Sequence, residues 1–216
     1  RYCLRGHHTA CETLHTTNYY PGGFAQYVRV PKINVEQGVY PLPKDMSFEE
    51  GTFIEPLACV VRGQRLAALQ KDDTVLIIGG GLAGILHAQL AKAKGVRSII
   101  VAGVNQYRLR LAEKFGAHCT IDARLNVPQE LKKINGGRLA DQVFVCKGAA
   151  SAALTALECV DKGGTILFFA VPDPTVRIPV PMTEFWRNEI TLKTSYGAAP
   201  RDLEESLAVM VQKKLN

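Results

Sequence analysis

Residues 73–108 read DTVLIIGGGLAGILHAQLAKAKGVRSIIVAGVNQYR, and the order of elements in this stretch decides the fold. Four β-forming residues at 75–78 run into Gly79-Gly80-Gly81-Leu82-Ala83-Gly84, which has the spacing G-x-G-x-x-G. Apolar residues at helical spacing follow, and a second apolar run, Ser98 to Ala102, closes a unit of about thirty residues. Strand, glycine-rich turn, helix and strand in this order predict a dinucleotide-binding βαβ unit.

Each glycine of the pattern has a predicted task in holding a dinucleotide. Gly79 allows the tight turn out of the strand, Gly81 lets the backbone approach a pyrophosphate, and Gly84 lets the helix lie close to the sheet. The phosphates would lie on free N–H groups at the start of the helix, around Leu82 and Ala83. Glycine-rich turns also occur for purely conformational reasons, so a βα turn without a ligand stays open as the alternative.

The second strand ends without the carboxylate that usually holds the ribose of NAD. That acid lies about 20 positions beyond the glycine pattern, and here the position is Gly103, with Asn105 and Arg108 shortly after it. Without the acid nothing repels a 2′-phosphate, and Asn105 with Arg108 can supply a hydrogen-bond donor and a positive charge. The sequence therefore favours NADP over NAD. The alternative is that Arg108 is a solvated helix residue and that backbone groups alone hold the ribose.

Beyond residue 105 the chain continues to alternate helices and strands. With the first two strands, this alternation predicts an α/β fold, a doubly wound, parallel, six-stranded Rossmann sheet. Ligands of such sheets bind at the carboxyl ends of the strands, where Cys146 and Gly148 follow the fourth strand. The predicted strands are 118–121, 142–146, 165–169 and 190–195, and the predicted helices are 106–115, 127–134 and one that starts at Pro200.

Composition and charge narrow the classes of function. The 216 residues carry a formal charge of +6, but the Lys and Arg residues are scattered and form no basic run with interleaved aromatics. Binding to nucleic acid is therefore not expected. The chain has no apolar stretch of about eighteen residues and no signal-peptide pattern. We therefore expect a cytoplasmic protein without a membrane partner, and reduced thiols are ordinary in that compartment.

Three features precede the glycine-rich stretch. Cys3 and Cys11 lie in a polar segment that has neither strand nor helix periodicity. Two thiols make at most half of a tetrahedral zinc site, so both a metal site and two unrelated thiols stay open as interpretations. Residues 24–43 alternate loosely and are interrupted by prolines, which predicts short strands and turns. Ser47 and Glu50 have the spacing of a capping box, so a helix is expected to begin there.

The Cys3 to Cys11 segment, the sequence PGGFAQYVRVP at 21–31 and the glycine-rich fold together resemble the zinc-containing medium-chain alcohol dehydrogenases, above all their sorbitol and threonine dehydrogenase branch. In that family a structural-zinc lobe reads C-x2-C-x2-C-x7-C. The resemblance implies that Cys3 and Cys11 are the last two ligands and that the first two would lie upstream of Arg1. It implies three regions: 1–45 as the end of a GroES-like, β-rich catalytic domain, 46–198 as the Rossmann domain, and 199–216 as a helix leading back to the catalytic domain.

The same resemblance implies roles for further residues. In the family the glutamate of an E-P-L sequence lies at the catalytic zinc, so Glu55, which precedes Pro56, would be a ligand or lie one water away. A solvent-exposed acid at a helix end is the alternative. Cys59 would face the nicotinamide or simply pack as a thiol. The residues that would line the adenosine and nicotinamide side are Cys146, Gly148, Ala170 and Val171.

The implied function is a zinc-dependent, NAD(P)-linked oxidoreductase that interconverts a secondary alcohol of a polyol, sugar or amino alcohol with its ketone. A zinc-free quinone or enoyl reductase of the same superfamily and a non-catalytic dinucleotide-binding protein are the alternatives. The family's Cys and His-Glu ligands of the catalytic zinc would lie upstream, so this polypeptide alone is expected to bind the dinucleotide without turnover. A homodimer or homotetramer is expected through the edge strand near Ile190–Ser195.

Overall fold

The computed structural model describes residues 1–17, 19–212 and 215. They form two compact units, the first made of Arg1–Cys59 with Tyr196–Gln212 and the second containing Val60–Ser195. The three regions implied by the resemblance have other bounds and remain a prediction about domain identity. The last of them, 199–216, includes Lys213, Lys214 and Asn216, which lie outside the described residues. Within the described part of the chain, no helix is long and apolar enough to cross a bilayer.

The second unit is built on a six-stranded sheet in which all neighbouring strands run parallel. The strands are β1 Thr74–Ile78, β2 Ser98–Gly103, β3 Cys119–Asp122, β4 Ala140–Val145, β5 Val160–Phe168 and β6 Thr191–Thr194. Their order is β3-β2-β1-β4-β5-β6, so the chain starts in the middle of the sheet and builds each half in turn. This is the doubly wound order of a Rossmann sheet, and it confirms the fold class predicted from the sequence.

Ten α-helices lie in the described part of the chain. They are α1 Glu12–Thr16, α2 Lys32–Gly38, α3 Phe48–Gly51, α4 Ile54–Leu66, α5 Leu82–Ala93, α6 Gln106–Phe115, α7 Val127–Ile134, α8 Ala150–Cys159, α9 Met182–Arg187 and α10 Pro200–Val211. The bounds of α6 and α7 are the predicted ones, because an asparagine caps each first turn: Asn105 Oδ1 accepts from Arg108 N at 3.1 Å and Asn126 Oδ1 from Gln129 N at 3.0 Å. The capping box before α3 is also confirmed.

Helices cover both faces of the sheet, and β1 shows how. Leu76 and Ile78 point into an apolar cluster with Leu131 of α7 and Ala156 of α8. The alternate side chains of β1 point the other way, into a second cluster that holds Ala88 of α5 and Ala112 of α6. Successive side chains of a strand face opposite sides, so a strand buried on both faces is apolar at nearly every position. That is why the run at 75–78 is continuous rather than alternating.

The start of β5 differs from the sequence prediction because glycines hide it. β5 begins at Val160 rather than 165, and its pairing with β4 shifts register between Ala140 and Gln142. Gly163 has φ +72 within this strand, a left-handed conformation that glycine adopts without strain. Adjacent glycines weaken a strand pattern in sequence, so the irregular first half of β5 was not predicted.

The prediction of short strands and turns at 24–43 is wrong for part of that segment. Residues Lys32–Gly38 form α2, which begins directly after Pro31. Proline fixes φ near the helical value and Asn34 N donates to its carbonyl at 3.0 Å, so Pro31 starts the helix instead of breaking it. Lys32 and Glu36 add an ion pair at i, i+4 with 3.5 Å between Nζ and Oε1. Extended pairing in the described part of 20–43 is one bridge, Tyr20 with Arg29.

His87 of α5 is fully buried on the inner face of its helix. Its ring packs against Phe144 at 5.0 Å and edge-on against Phe169 at 4.7 Å between centroids. Neither ring nitrogen has a hydrogen-bond partner among the described residues. Burial, with a smaller effect of the Lys94 charge, lowers the pKa of His87 to about 3, so the imidazole is neutral at physiological pH.

Candidate functional site

The glycine-rich turn after β1 is held by backbone contacts that only glycine permits. Gly79 has φ +115, and a Cβ there would lie 3.1 Å from the carbonyl carbon of Cys146. A Cβ at Gly84 would collide with the carbonyl oxygen of Gly79. The turn is also tied to the sheet, because Gly79 N donates to Ala102 O at 2.8 Å. Gly79 and Gly84 therefore have the close-packing geometry that the sequence pattern predicts.

Gly81 leaves open space in front of α5. It is the N-cap of the helix with extended φ −82 and ψ −170, and a Cβ built on it would meet nothing within 4 Å. The first N–H groups of a helix, here those of Leu82 and Ala83, have no acceptor within the helix, and Gly81 has no side chain to supply one. Open space beside N–H groups at the positive end of a helix dipole suits a pyrophosphate, so the turn fits a dinucleotide.

The end of β2 brings together the residues predicted for the ribose. A Cβ at Gly103 would lie 3.5 Å from the backbone nitrogen of Gly80, and a Cβ at Gly80 would lie 3.6 Å from Cβ of Arg108. Asn105 caps α6 through Oδ1, which leaves its amide nitrogen as the donor for a ligand. Gly103 and Arg108 thus lie beside the second glycine of the turn, and Asn105 caps the helix that carries Arg108. Arg108 is exposed and makes no ion pair within the described part of the chain.

Sequence reasoning missed a polar cluster on the neighbouring strand. Asp122 is the Cα partner of Gly103 in the β2–β3 pair. Gln106 Nε2 donates to Asp122 Oδ2 at 3.0 Å, and both Nε and the backbone N of Arg124 donate to Oδ1, at 2.9 and 3.0 Å. These bonds from Arg124 lower the pKa of Asp122 to about 2. No local pattern reveals this cluster, because which strand lies beside β2 depends on the tertiary order of the strands.

The carboxyl ends of β4 and β5 assemble the remaining predicted cofactor contacts. Cys146 N donates to Ile78 O at 2.9 Å and Ala170 N to Val145 O at 2.8 Å. A Cβ at Gly148 would lie 2.7 Å from the carbonyl oxygen of Val171, so those two backbones touch. Cys146, Gly148, Ala170 and Val171 therefore lie on the same edge of the sheet as the glycine-rich turn. Burial raises the pKa of the Cys146 thiol, which makes it a neutral packing group and no nucleophile.

In the first unit the structure brings Cys3 and Cys11 together as free thiols. Cys3 begins the first of two 3₁₀ turns, Cys3–Arg5 and His8–Ala10, and Cys11 directly follows the second. Interaction with the thiol of Cys11 raises the pKa of Cys3, while hydrogen bonds from Thr13 lower the pKa of Cys11. Residues 1–17, 19–212 and 215 contain no group of three or more His, Cys, Asp or Glu side chains that could hold a metal ion. The pair offers two of the four donors that structural zinc needs, so these residues do not complete a zinc site.

Glu55 lies in the first turn of α4 and is exposed. Pro56 does not interrupt α4, which continues to Leu66, because the first four N–H groups of a helix have no intrahelical acceptor and proline lacks an N–H. Cys59 Sγ donates to Glu55 Oε1 at 3.1 Å, one turn along. Burial, together with this carboxylate, raises the pKa of Cys59 to about 12, so the thiol stays protonated. The exposure of Glu55 is compatible with both interpretations of the sequence, in which this side chain is either a metal ligand or a solvated acid.

Comparison with known proteins shows which family the chain resembles. A family model described as zinc-binding dehydrogenase matches residues 83–212. Sorbitol dehydrogenase of Halalkalibacterium halodurans is 29% identical over 222 aligned residues, which cover 100% of this chain and 62% of the relative. D-xylulose reductase of Saccharomyces cerevisiae is 27% identical over 183 residues, or 82% of this chain and 51% of the relative. The chain thus spans between half and two thirds of the length of these curated relatives.

Solved structures agree with the sequence relatives. ECK1772 of Escherichia coli, an oxidoreductase or dehydrogenase of unknown specificity, superposes with a TM-score of 0.87 at 26% identity. The superposition covers 100% of this chain and 61% of that one. The family model spans more than half of the chain. The chain belongs to the zinc-binding dehydrogenases, in the sorbitol dehydrogenase-like branch of that medium-chain superfamily.

Proposed function

We propose that the chain forms the dinucleotide-binding part of an NAD(P)-linked dehydrogenase that interconverts a secondary alcohol of a polyol, sugar or amino alcohol with its ketone. One observation carries the proposal, the open space at Gly81 in front of the N-terminus of α5. In the same turn, the backbones of Gly79 and Gly84 are so close that neither position has room for a side chain. Relatives named sorbitol dehydrogenase and D-xylulose reductase favour a polyol as the substrate.

The chain's own residues bind and orient the cofactor. The N–H groups of Leu82 and Ala83 face the space for the pyrophosphate, and the touching backbones of Gly148 and Val171 form the wall for the nicotinamide side. The bound nicotinamide supplies the hydride acceptor for alcohol oxidation. The neutral thiol of Cys146 adds no charge to this edge, which keeps the wall apolar.

The zinc-related roles are proposals for three residues. Cys3 and Cys11, whose thiols interact with each other, would supply two thiolate donors to a structural zinc. Glu55 would supply a carboxylate to the catalytic zinc, directly or through one water, and Cys59 donates a hydrogen bond to Oε1 of that carboxylate. Such a metal polarises an alcohol oxygen and lowers its pKa. Two thiols and one carboxylate are a partial donor set, so the remaining ligands must come from outside the residues described.

The edge strand β6 is the proposed contact for a homodimer or homotetramer. All four of its residues are exposed, and within the described sheet it pairs with β5 alone. An uncovered edge exposes unpaired N–H and C=O groups and invites pairing with a second chain. Trp186, 75% exposed in the nearby α9, adds an aromatic anchor for such a contact.

All six cysteines are free thiols, which supports the cytoplasm as the compartment of the protein.

The binding proposal is tested by titrating the chain with NADH and NADPH while following nucleotide fluorescence and the melting temperature. Gly81→Asp places a carboxylate in the space for the pyrophosphate, and Asp is a favourable N-cap, so the fold is kept while the charge repels phosphate. We expect binding of both nucleotides to weaken by at least about tenfold. Gly23→Asp, at another open glycine, is the matched control and leaves binding unchanged.

If neither nucleotide changes fluorescence or melting temperature in the unaltered chain, the proposal is wrong. Where binding is seen, a panel of polyols and amino alcohols with either oxidised cofactor identifies the substrate class through the appearance of reduced nicotinamide. Zinc content measured on the same preparation separates a zinc-type enzyme from the zinc-free reductases.

A further inference from the structure

The segment that follows β5 carries the apolar part of the wall proposed for the nicotinamide side. Val171 is 65% exposed there, and its carbonyl oxygen lies against Gly148. The start of this segment is tied to β4, because Phe169 N and Ala170 N both donate to Val145 O, at 3.1 and 2.8 Å. The position of the wall also depends on the contacts that hold the side chain of Phe169.

The ring of Phe169 packs against the fully buried imidazole of His87 in α5. The two rings meet edge to face, with 4.7 Å between their centroids and an interplanar angle of 88°. Aromatic pairs favour this geometry, because the positive edge of one ring meets the negative face of the other. Phe144 of β4 also lies against the imidazole, at 5.0 Å between centroids. His87 therefore links the interior of the sheet to the residue that precedes the wall.

A glycine in α4 makes room for this pair of rings. A Cβ at Gly63 would lie 3.2 Å from Cδ2 of Phe169 and 3.4 Å from Cε1 of His87. Glycine in the interior of a helix destabilises it relative to alanine, so the gain at this position is the close approach of the helix to the two rings. Both the backbone of α4 and the imidazole thus limit where the ring of Phe169 can lie.

Stability does not explain why this buried side chain is a histidine. Neither Nδ1 nor Nε2 of His87 has a hydrogen-bond partner among residues 1–17, 19–212 and 215, and a buried polar atom without a partner costs free energy. Leucine would avoid that cost, but it has no ring to pair with Phe169. The contribution of the imidazole at this position is therefore its ring contacts.

We propose that His87 is a positioning residue of the cofactor site, whose ring holds Phe169 and thereby the Ala170–Val171 segment against which the nicotinamide half of the dinucleotide binds. The inference rests on the proposed function, since it adds a residue to the same site. His87 is fully buried and acts through Phe169 alone. Its effect is confined to the part of the ligand that lies on the wall, while the pyrophosphate stays on the N–H groups at the start of α5.

The inference is tested by equilibrium binding of NADH and of ADP-ribose, which lacks the nicotinamide ring. NADH is followed by its fluorescence and ADP-ribose by calorimetry, and we expect the unaltered chain to bind NADH more tightly. His87→Leu should weaken NADH binding by roughly three- to tenfold, the range that the loss of one aromatic pair allows, and leave ADP-ribose binding unchanged. Urea unfolding at neutral pH verifies that the variant is folded.

A second variant tests whether His87 acts through Phe169. Phe169→Leu removes the other ring of the pair and should cause the same selective loss. The double variant should lose no more NADH affinity than either single variant, because residues that act through one shared contact are not additive. Phe185→Leu is the matched control, since it removes a buried ring from the cluster on the opposite face of the sheet. It should leave the ratio of NADH to ADP-ribose affinity unchanged.

The outcomes separate the inference from the function beneath it. If His87→Leu weakens both ligands alike, its role is merely structural and the inference is overturned. Additive losses in the double variant, or an NADH affinity that His87→Leu leaves unchanged, would also overturn it. If the unaltered chain binds ADP-ribose as tightly as NADH, the wall contributes nothing and the inference is wrong, while the pyrophosphate site stands. If neither ligand binds, the proposed function itself fails.

Discussion

The carbonyl oxygen of Gly79 occupies the position that a Cβ at residue 84 would need, so the turn after β1 and the first turn of α5 touch through backbone alone. This contact sets the height of the helix N-terminus above the sheet. It also sets where the N–H groups of Leu82 and Ala83 point. The dinucleotide site therefore depends on this contact between two backbones.

Gly84→Ala is expected to push α5 away from the turn. Overpacking of this kind destabilises a fold by about 1–3 kcal/mol, and nucleotide affinity falls with it because the N–H groups move. Urea unfolding and nucleotide titration measure the two effects. Gly81→Ala is the control for stability alone, because its Cβ would enter open space at an ordinary φ of −82. Equal loss of stability in both variants would contradict the contact.

Asn105 and Asn126 form a matched pair of helix caps, with oxygen-to-nitrogen distances of 3.1 and 3.0 Å. Replacing either by Ala is expected to lower the free energy of unfolding by about 1 kcal/mol. Only Asn105→Ala should also weaken NADPH binding, since Asn105 fixes the backbone of Arg108 beside Gly80. Denaturant unfolding and NADPH titration of both variants are the measurements. An identical NADPH affinity in the two variants would remove Asn105 from the site.

His87 makes the second unit sensitive to acid. The unfolded chain takes up a proton near the ordinary pKa of 6.5, whereas the folded chain does so near 3. Between these values the unfolded state binds more protons, so stability falls as the pH falls, by about 1.4 kcal/mol per pH unit for one such group. The loss begins as the pH drops below 6.5 and levels off near 3.

His87→Leu removes this dependence together with two buried nitrogens that lack partners among the described residues. Urea unfolding at neutral pH and near pH 5 is expected to show a smaller difference in the variant than in the unaltered chain. His7→Leu, at an exposed histidine, leaves the pH dependence as it is. A pH dependence that survives in His87→Leu would assign the effect to other groups.

The edge of β6 can be tested with two leucines of nearly equal exposure. Leu192 of β6 is 39% exposed and Leu154 of α8 is 40% exposed. Leu192→Asp places a charge on the proposed contact and is expected to shift the protein toward monomer, because an edge charge opposes strand pairing. Light scattering after gel filtration measures the mass. Leu154→Asp should leave it unchanged, and a monomer in the unaltered chain would rule out the contact.

The sequence predicted the parts of the fold whose signals are local. The bounds of α6 and α7 follow from asparagine caps, and the phosphate turn follows from glycine spacing after a buried strand. The start of β5 was not predicted because Gly163 breaks its pattern, and α2 was missed because alternating apolar residues around Pro31 resemble a strand.

The candidate site was predictable only where its residues follow strand ends directly. Gly148 and Val171 were placed on one edge of the sheet, and their backbones do touch. The pairing of Asp122 with Arg124 was missed, because which strand lies beside β2 depends on tertiary order and not on any local pattern. The roles of Glu55, Cys3 and Cys11 remain predictions, since their implied partners lie outside the described residues.

The hydrogen bonds that tie the turn to the sheet determine how the site meets its ligand. Gly79 N is held by Ala102 of β2 and Cys146 N by Ile78 of β1, so the loop is clamped between two neighbouring strands. A clamped loop is pre-organised and loses little conformational entropy when a ligand arrives. Association should then be rapid and should proceed in a single kinetic phase, without a slow rearrangement of the backbone.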